Sequence, residues 1–133
     1  EFYPGALAAV ANLRQAGYVV SICTNKPEGL AVQLMAALGA TEAFDALVGA
    51  DTLPVRKPDP APLWEAVDRA GGDRGRVCLI GDTLTDRITA ANADVPSVLV
   101  TFGPGGGDMA ALDPAALLHD FADLPKLVAQ LIG

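Results

Sequence analysis

The stretch Val77-Cys78-Leu79-Ile80-Gly81-Asp82-Thr83-Leu84-Thr85-Asp86 decides the fold. Its first four residues are a short, unbroken apolar run, the pattern of a strand covered on both faces rather than one. Glycine and aspartate end the run, and a helix is expected over Asp86 to Asn92. The segment therefore predicts a buried strand that delivers carboxylates at its carboxyl end and passes into a helix. Taken alone, Asp82 and Asp86 need no ligand, because carboxylates at a helix start meet the dipole and cap free N–H groups.

The same alternation recurs on both sides of this unit. After Pro4-Gly5, the apolar positions Leu7, Val10, Ala11 and Leu13 recur at helical spacing as far as Gly17. Tyr18 to Thr24 is rich in β-branched and aromatic residues and ends at the turn Asn25-Lys26-Pro27, which predicts a strand. Glu28 to Leu38 reads as a helix with Leu30, Leu34, Met35 and Leu38 on one face. Ala46 to Gly49 is a weaker strand, followed by a proline-bearing loop from Asp51 to Pro60. A helix over Pro62 to Ala70 places Trp64 in the core beside Leu63 and Val67. Beyond Asn92, a strand is expected over Ser97 to Val100, a small edge strand at Leu117-Leu118-His119 and a final helix over Leu124 to Leu131. Gly103 to Gly107 lacks the G-x-G-x-x-G spacing of a dinucleotide site and reads as a flexible loop. His119, the single histidine, reads as a surface or strand-end residue. Strands alternating with helices at these intervals predict right-handed βαβ units, an α/β fold with a doubly wound parallel sheet, and one domain over 1–133.

Bulk properties narrow the function classes. The 133 residues can bury one core of ordinary size. The apolar share of 51% with only 5% aromatics comes mostly from Ala, Val and Leu, which suits helices packed on a buried sheet. A net charge of −7, with nine Lys and Arg scattered along the chain, disfavours nucleic acid as a partner. No apolar stretch approaches the roughly 20 residues that span a bilayer, so no membrane partner is expected. Cys23 and Cys78 lie in apolar runs and read as small buried hydrophobes in a reducing, cytoplasmic setting.

Ligands of open α/β sheets bind beyond the carboxyl ends of the strands, so the polar residues there are the candidates. Thr24 and Asn25 follow one strand, Lys57 lies in the loop after the next, and Asp82 and Asp86 follow the third. A hydroxyl, an amide, a cation and two hard carboxylates suit Mg²⁺ together with a phosphoryl group. Each element alone has an ordinary explanation as a turn, a solvated lysine or a helix cap. Their common placement at strand ends is what favours a phosphoryl-transfer site.

The segments Ser21-Ile22-Cys23-Thr24-Asn25-Lys26-Pro27, Arg56-Lys57-Pro58-Asp59-Pro60 and Gly81-Asp82-Thr83-Leu84-Thr85-Asp86 resemble, in order and spacing, the second, third and fourth motifs of haloacid dehalogenase-type phosphatases. Tyr3-Pro4-Gly5 and the pairing of the first two segments look most like the phosphoglycolate phosphatase branch. The resemblance implies a Rossmann-like core and a small phosphorylated substrate. It implies that Thr24 and Lys57 act in catalysis, that Thr24 through its hydroxyl, Asn25 through its backbone N–H and Lys57 bind substrate, that Asp82 coordinates Mg²⁺, and that Asp86 coordinates it or orients its ligands. A receiver-type phosphoacceptor has a similar inventory, but it places the acidic pair early and Lys-Pro late, the reverse of the order here.

The same resemblance exposes a departure. Such enzymes attack phosphorus with the first carboxylate of an Asp-x-Asp on the first strand, and this sequence holds no Asp-x-Asp. The first strand and the cap domain are therefore expected to be missing from these residues. The implied fold puts that strand between Tyr18 to Thr24 and Val77 to Ile80, so those two strands are predicted not to pair with each other. A strand from upstream sequence or from another chain is expected between them. A non-catalytic binding or scaffold module of the same fold is the alternative function.

Overall fold

The computed structural model describes residues 4–102 and 106–133; Tyr3 and most of the glycine-bearing loop lie outside them. The chain runs α1 (Ala6–Gln15), β1 (Ser21–Cys23), α2 (Glu28–Ala37), β2 (Ala46–Val48), α3 (Ala61–Arg69), β3 (Leu79–Gly81), α4 (Leu84–Ala93), β4 (Ser97–Val100), β5 (Ala116–Leu118) and α5 (Leu124–Ile132). Short 3₁₀ turns stand at Thr41–Ala43, Gly106–Leu112 and Phe121–Asp123. Every strand pairing is parallel, as the alternation predicts. Among the described residues, no helix is long and apolar enough to cross a membrane.

Local chemistry accounts for the boundaries near the site. Pro62 sits in the first turn of α3, where its missing N–H costs no hydrogen bond. Thr83 caps α4 by accepting the Asp86 N–H at 3.2 Å, so that helix begins at Leu84, earlier than expected. Along β3 the side chains alternate between two cores. Leu79 joins Leu63 of α3 and Ala90 of α4, whereas Cys78 and Ile80 pack against the larger cluster of Ala9, Leu13, Val98, Val100, Leu118 and Val128. That period of two is the signature of a strand covered on both faces, and it makes the fold three-layered, with α3 and α4 on one side and α1 and α5 on the other.

Among the described residues, the strands form two sheets rather than one. β1 pairs with β2, and β3 pairs with β4, which pairs with β5; β1 and β3 do not pair. The Asp45 N–H reaches Val20 O and the Thr24 N–H reaches Val48 O, so these residues of the β1 segment turn their backbones to the β2 side. Leu79 N–H likewise goes to Pro96 O on the β4 side. Consecutive residues in a parallel ladder address opposite neighbours, so Ser21, Cys23, Cys78 and Ile80 turn theirs toward the other edge. The two edges face each other across one core, since Val20 and Ile80 pack on the same apolar cluster. Both strands are also shorter than the expected Tyr18 to Thr24 and Val77 to Ile80, because a ladder on one side alone defines fewer paired residues.

Three packing expectations need correction. Trp64 is half-buried rather than core, with the Arg74 guanidinium 5.2 Å from its ring centroid. α2 turns Ala31 and Met35 inward, while Leu30 and Leu34 are exposed; the helix is apolar almost all round, so periodicity does not select its buried face. Both cysteines are free thiols but only half-buried.

Burial pushes the Cys78 thiol up from the ordinary 9.0 to about 11. The unfolded chain then releases this proton before the folded one does, so stability holds below pH 9 and falls as pH rises toward 11. Urea midpoints measured from pH 8 to 11 are expected to drop across that window, and Cys78→Val is expected to remove this part of the drop.

Candidate functional site

The carboxyl ends of β1 and β3 and the loop after β2 converge on a cavity of about 280 Å³. Its lining includes Cys23, Thr24, Lys57, Gly81, Asp82 and Asp86, with Ile80, Val100 and Phe121 as apolar wall. Four of the five residues singled out from sequence thus meet at one place. The fifth, Asn25, is exposed and does not line the cavity; its side-chain amide donates to Lys57 O at 3.3 Å.

Lys57 and Asp86 form the polar centre. The Lys57 ammonium donates to Asp86 Oδ1 at 2.7 Å and to Cys23 O at 2.9 Å, and both side chains are about nine-tenths buried, 9% and 10% exposed. Asp86 Oδ2 accepts from the Asp82 N–H at 3.2 Å and from the Thr83 hydroxyl at 3.0 Å. Thr83 and Asp86 therefore satisfy each other across the first turn of α4, in the manner of a capping box. Gly81 must be glycine for this packing, since a Cβ there would overlap the Asp86 side chain. Asp86 is consequently an organising carboxylate, with one oxygen on the lysine and the other on the 81–83 turn.

Thr24 supplies the opposite wall. Its hydroxyl oxygen accepts the Lys26 N–H at 3.1 Å, which leaves the hydroxyl hydrogen to point at a ligand oxygen. Asn25 and Asn92 steady the lysine loop from two sides, the first on Lys57 O and the second on Pro58 O at 3.0 Å. Sequence reasoning missed Asn92, although a polar residue late in α4 was its available signal. It also missed the Thr83 hydroxyl, which the N-cap position could have revealed. Val100 and Phe121 carry no such signal, because apolar wall residues look like core.

The donor set fits magnesium. Asp82 and Asp86 bring two hard carboxylates to the cavity, and no group of three or more potential His, Cys, Asp or Glu ligands occurs among the described residues. Magnesium takes one or two carboxylates and completes its octahedron with water and phosphate oxygens. Both oxygens of Asp86 are engaged, Oδ1 by Lys57 and Oδ2 by the Asp82 N–H and the Thr83 hydroxyl.

Removing the lysine alone strands a buried carboxylate. Lys57→Met is expected to cost about 3–5 kcal/mol of stability, and the double variant Lys57→Met with Asp86→Leu much less. Urea denaturation of the two variants checks this, and equal losses would show that the pair is not coupled.

Comparisons with known proteins bear on the family of the chain. Residues 1–94 match the family model for haloacid dehalogenase-like hydrolases. The chain is 42% identical over 132 residues to a phosphoglycolate phosphatase of Agrobacterium fabrum, covering 98% of this chain and 57% of that protein. It is 43% identical over 122 residues to one of Rhodospirillum rubrum, covering 92% and 51%. The chain thus spans little more than half the length of these curated relatives. A Haemophilus somnus crystal structure, described as a "predicted phosphoglycolate phosphatase", superposes with a TM-score of 0.85 at 28% identity, over 96% of this chain and 57% of that one. A hydrolase of the same superfamily from Ehrlichia chaffeensis gives 0.79 at 22% identity over 98% and 58%, a likeness of fold.

Proposed function

This chain belongs to the haloacid dehalogenase-like hydrolase family, and on that premise we propose that it is the core of a magnesium-dependent phosphoric monoester hydrolase acting on a small phosphorylated acid such as 2-phosphoglycolate. The observation that carries the reading is the convergence of Thr24, Lys57, Asp82 and Asp86 on one cavity between two unpaired strand ends. The substrate class rests on the names of the relatives at about 40% identity.

In this reading a strand from outside the 133 residues enters between β1 and β3 and carries an Asp-x-Asp to the cavity. The facing edges of β1 and β3, which no ladder joins, support it, since backbone groups shut off from water without partners cost about 1–3 kcal/mol each. The first carboxylate attacks phosphorus, the P–O ester bond breaks, and the second carboxylate gives its proton to the leaving oxygen. Water, deprotonated by that same second carboxylate, then releases phosphate from the aspartyl phosphate. The Thr24 hydroxyl donates to a phosphoryl oxygen throughout. Lys57 offsets the negative charge shared by nucleophile and phosphoryl group, and Asp86 holds Lys57 in place. Asp82 would hold the magnesium ion, which when bound neutralises phosphoryl oxygens.

Asp82→Asn in the catalytically complete protein is expected to lower magnesium-dependent hydrolysis by about 10²-fold or more, with the circular dichroism spectrum unchanged. Near wild-type turnover and magnesium dependence would remove Asp82 from the site. In a panel of phosphate esters, 2-phosphoglycolate is expected to exceed nucleotides and sugar phosphates in kcat/KM; the opposite order would overturn the substrate assignment.

A further inference from the structure

The turn that carries Thr24 is fastened by the neighbouring loop. α2 starts at Glu28 behind Pro27, and no side chain at that position caps the helix. The acceptor comes from the segment after β2, where Asp51 Oδ1 takes the Glu28 N–H at 2.7 Å. Thr52 adds a second fastening, because its hydroxyl accepts the Gly49 N–H at 2.8 Å and donates to Glu28 Oε1 at 2.8 Å. Two backbone bonds close the seam, Thr24 N–H to Val48 O at 3.0 Å and Ala50 N–H to Lys26 O at 2.9 Å. The two segments touch so closely that a Cβ on Gly49 would overlap the backbone of Glu28.

The seam ends at the candidate site. The Lys26 N–H donates to Thr24 Oγ1 at 3.1 Å, and this bond decides where the Thr24 hydroxyl hydrogen can point. Lys26 and Glu28 are both held by the 49–52 segment, so the hydroxyl's direction depends on residues that do not line the cavity. We infer that Asp51 and Thr52 are positioning residues for phosphoryl binding at Thr24. The substrate side of this inference rests on the phosphatase reading; the geometric side rests on the hydrogen bonds alone.

Charge separates this role from a field effect. Asp51 is an anion near a site for an anionic substrate, so its field alone weakens substrate binding and its removal would tighten it. A positioning role predicts the opposite sign. Asparagine keeps an acceptor oxygen without the charge, and alanine keeps neither.

The test uses Asp51→Ala, Asp51→Asn, Thr52→Val and Thr52→Ser in the catalytically complete protein. Asp51→Ala and Thr52→Val are expected to raise KM for a phosphate monoester about fivefold, the scale of a lost helix cap, with kcat little changed. Asp51→Asn and Thr52→Ser are expected to restore KM. Amide exchange followed by NMR is expected to show lost protection at Lys26 and Glu28 in Asp51→Ala, with Val98 to Val100 still protected. A KM that is unchanged or lower in Asp51→Ala overturns the inference, as does a fall in kcat at constant KM, which signals only a smaller folded fraction. If the complete protein hydrolyses no phosphate monoester, the phosphatase reading falls, and the exchange measurement still decides the positioning: retained protection at Lys26 and Glu28 in Asp51→Ala overturns it.

Discussion

One ammonium group ties the site together. Lys57 Nζ contacts the carbonyl that ends β1 and the carboxylate that follows β3, and so links the ends of two sheets that no backbone ladder joins. Burying an ammonium and a carboxylate costs several kcal/mol per ion unless close pairing and further hydrogen bonds offset it. Here further bonds supply that offset: Lys57 also donates to Cys23 O, and Asp86 fills its remaining oxygen with the Asp82 N–H and the Thr83 hydroxyl. Among the described residues, no buried side-chain polar atom lacks a partner. The 81–83 turn, the start of α4 and the placement of Asp82 all follow from where that one pair sits.

The rest of the site is arranged as two loops leaning on that pair. On one side the lysine loop is held through its carbonyls by amides from Asn25 and Asn92. On the other, the Thr24 turn is held by the segment after β2. Each fastening joins segments far apart in sequence, so the cavity exists only after the βαβ units have docked. This suits phosphoryl chemistry, in which the protein mainly positions groups and stabilises charge.

The open seam between β1 and β3 gives the fold its unusual balance. Both facing edges lie over apolar cores, yet among the described residues each strand has a ladder on one side only. The relatives are nearly twice as long as this chain, and the seam runs directly into the candidate site. On the proposed reading, a strand that filled the seam would complete the sheet and the site together.

Much of this was legible in the residues alone. The apolar run Val77 to Ile80 followed by Gly-Asp, the β-branched run ending at Thr24 and the helical spacing of α1 are short-range patterns, and they marked the strands, their ends and the polar residues beyond them. The order of the three motifs marked Thr24, Lys57, Asp82 and Asp86 as companions, and all four line one cavity. What periodicity could not decide was which face of the nearly all-apolar α2 turns inward, or that Trp64 sits half-exposed under Arg74. Nor could it decide that the Asn25 side chain holds a backbone carbonyl, or which oxygen of Asp86 meets the lysine. Those outcomes rest on partners such as Lys57 and Asp86, 29 residues apart. Local turn chemistry and hydrophobic period act over one or two turns of chain, whereas the assignment of donors to acceptors across such distances is made only when tertiary packing brings the groups together and excludes water from between them.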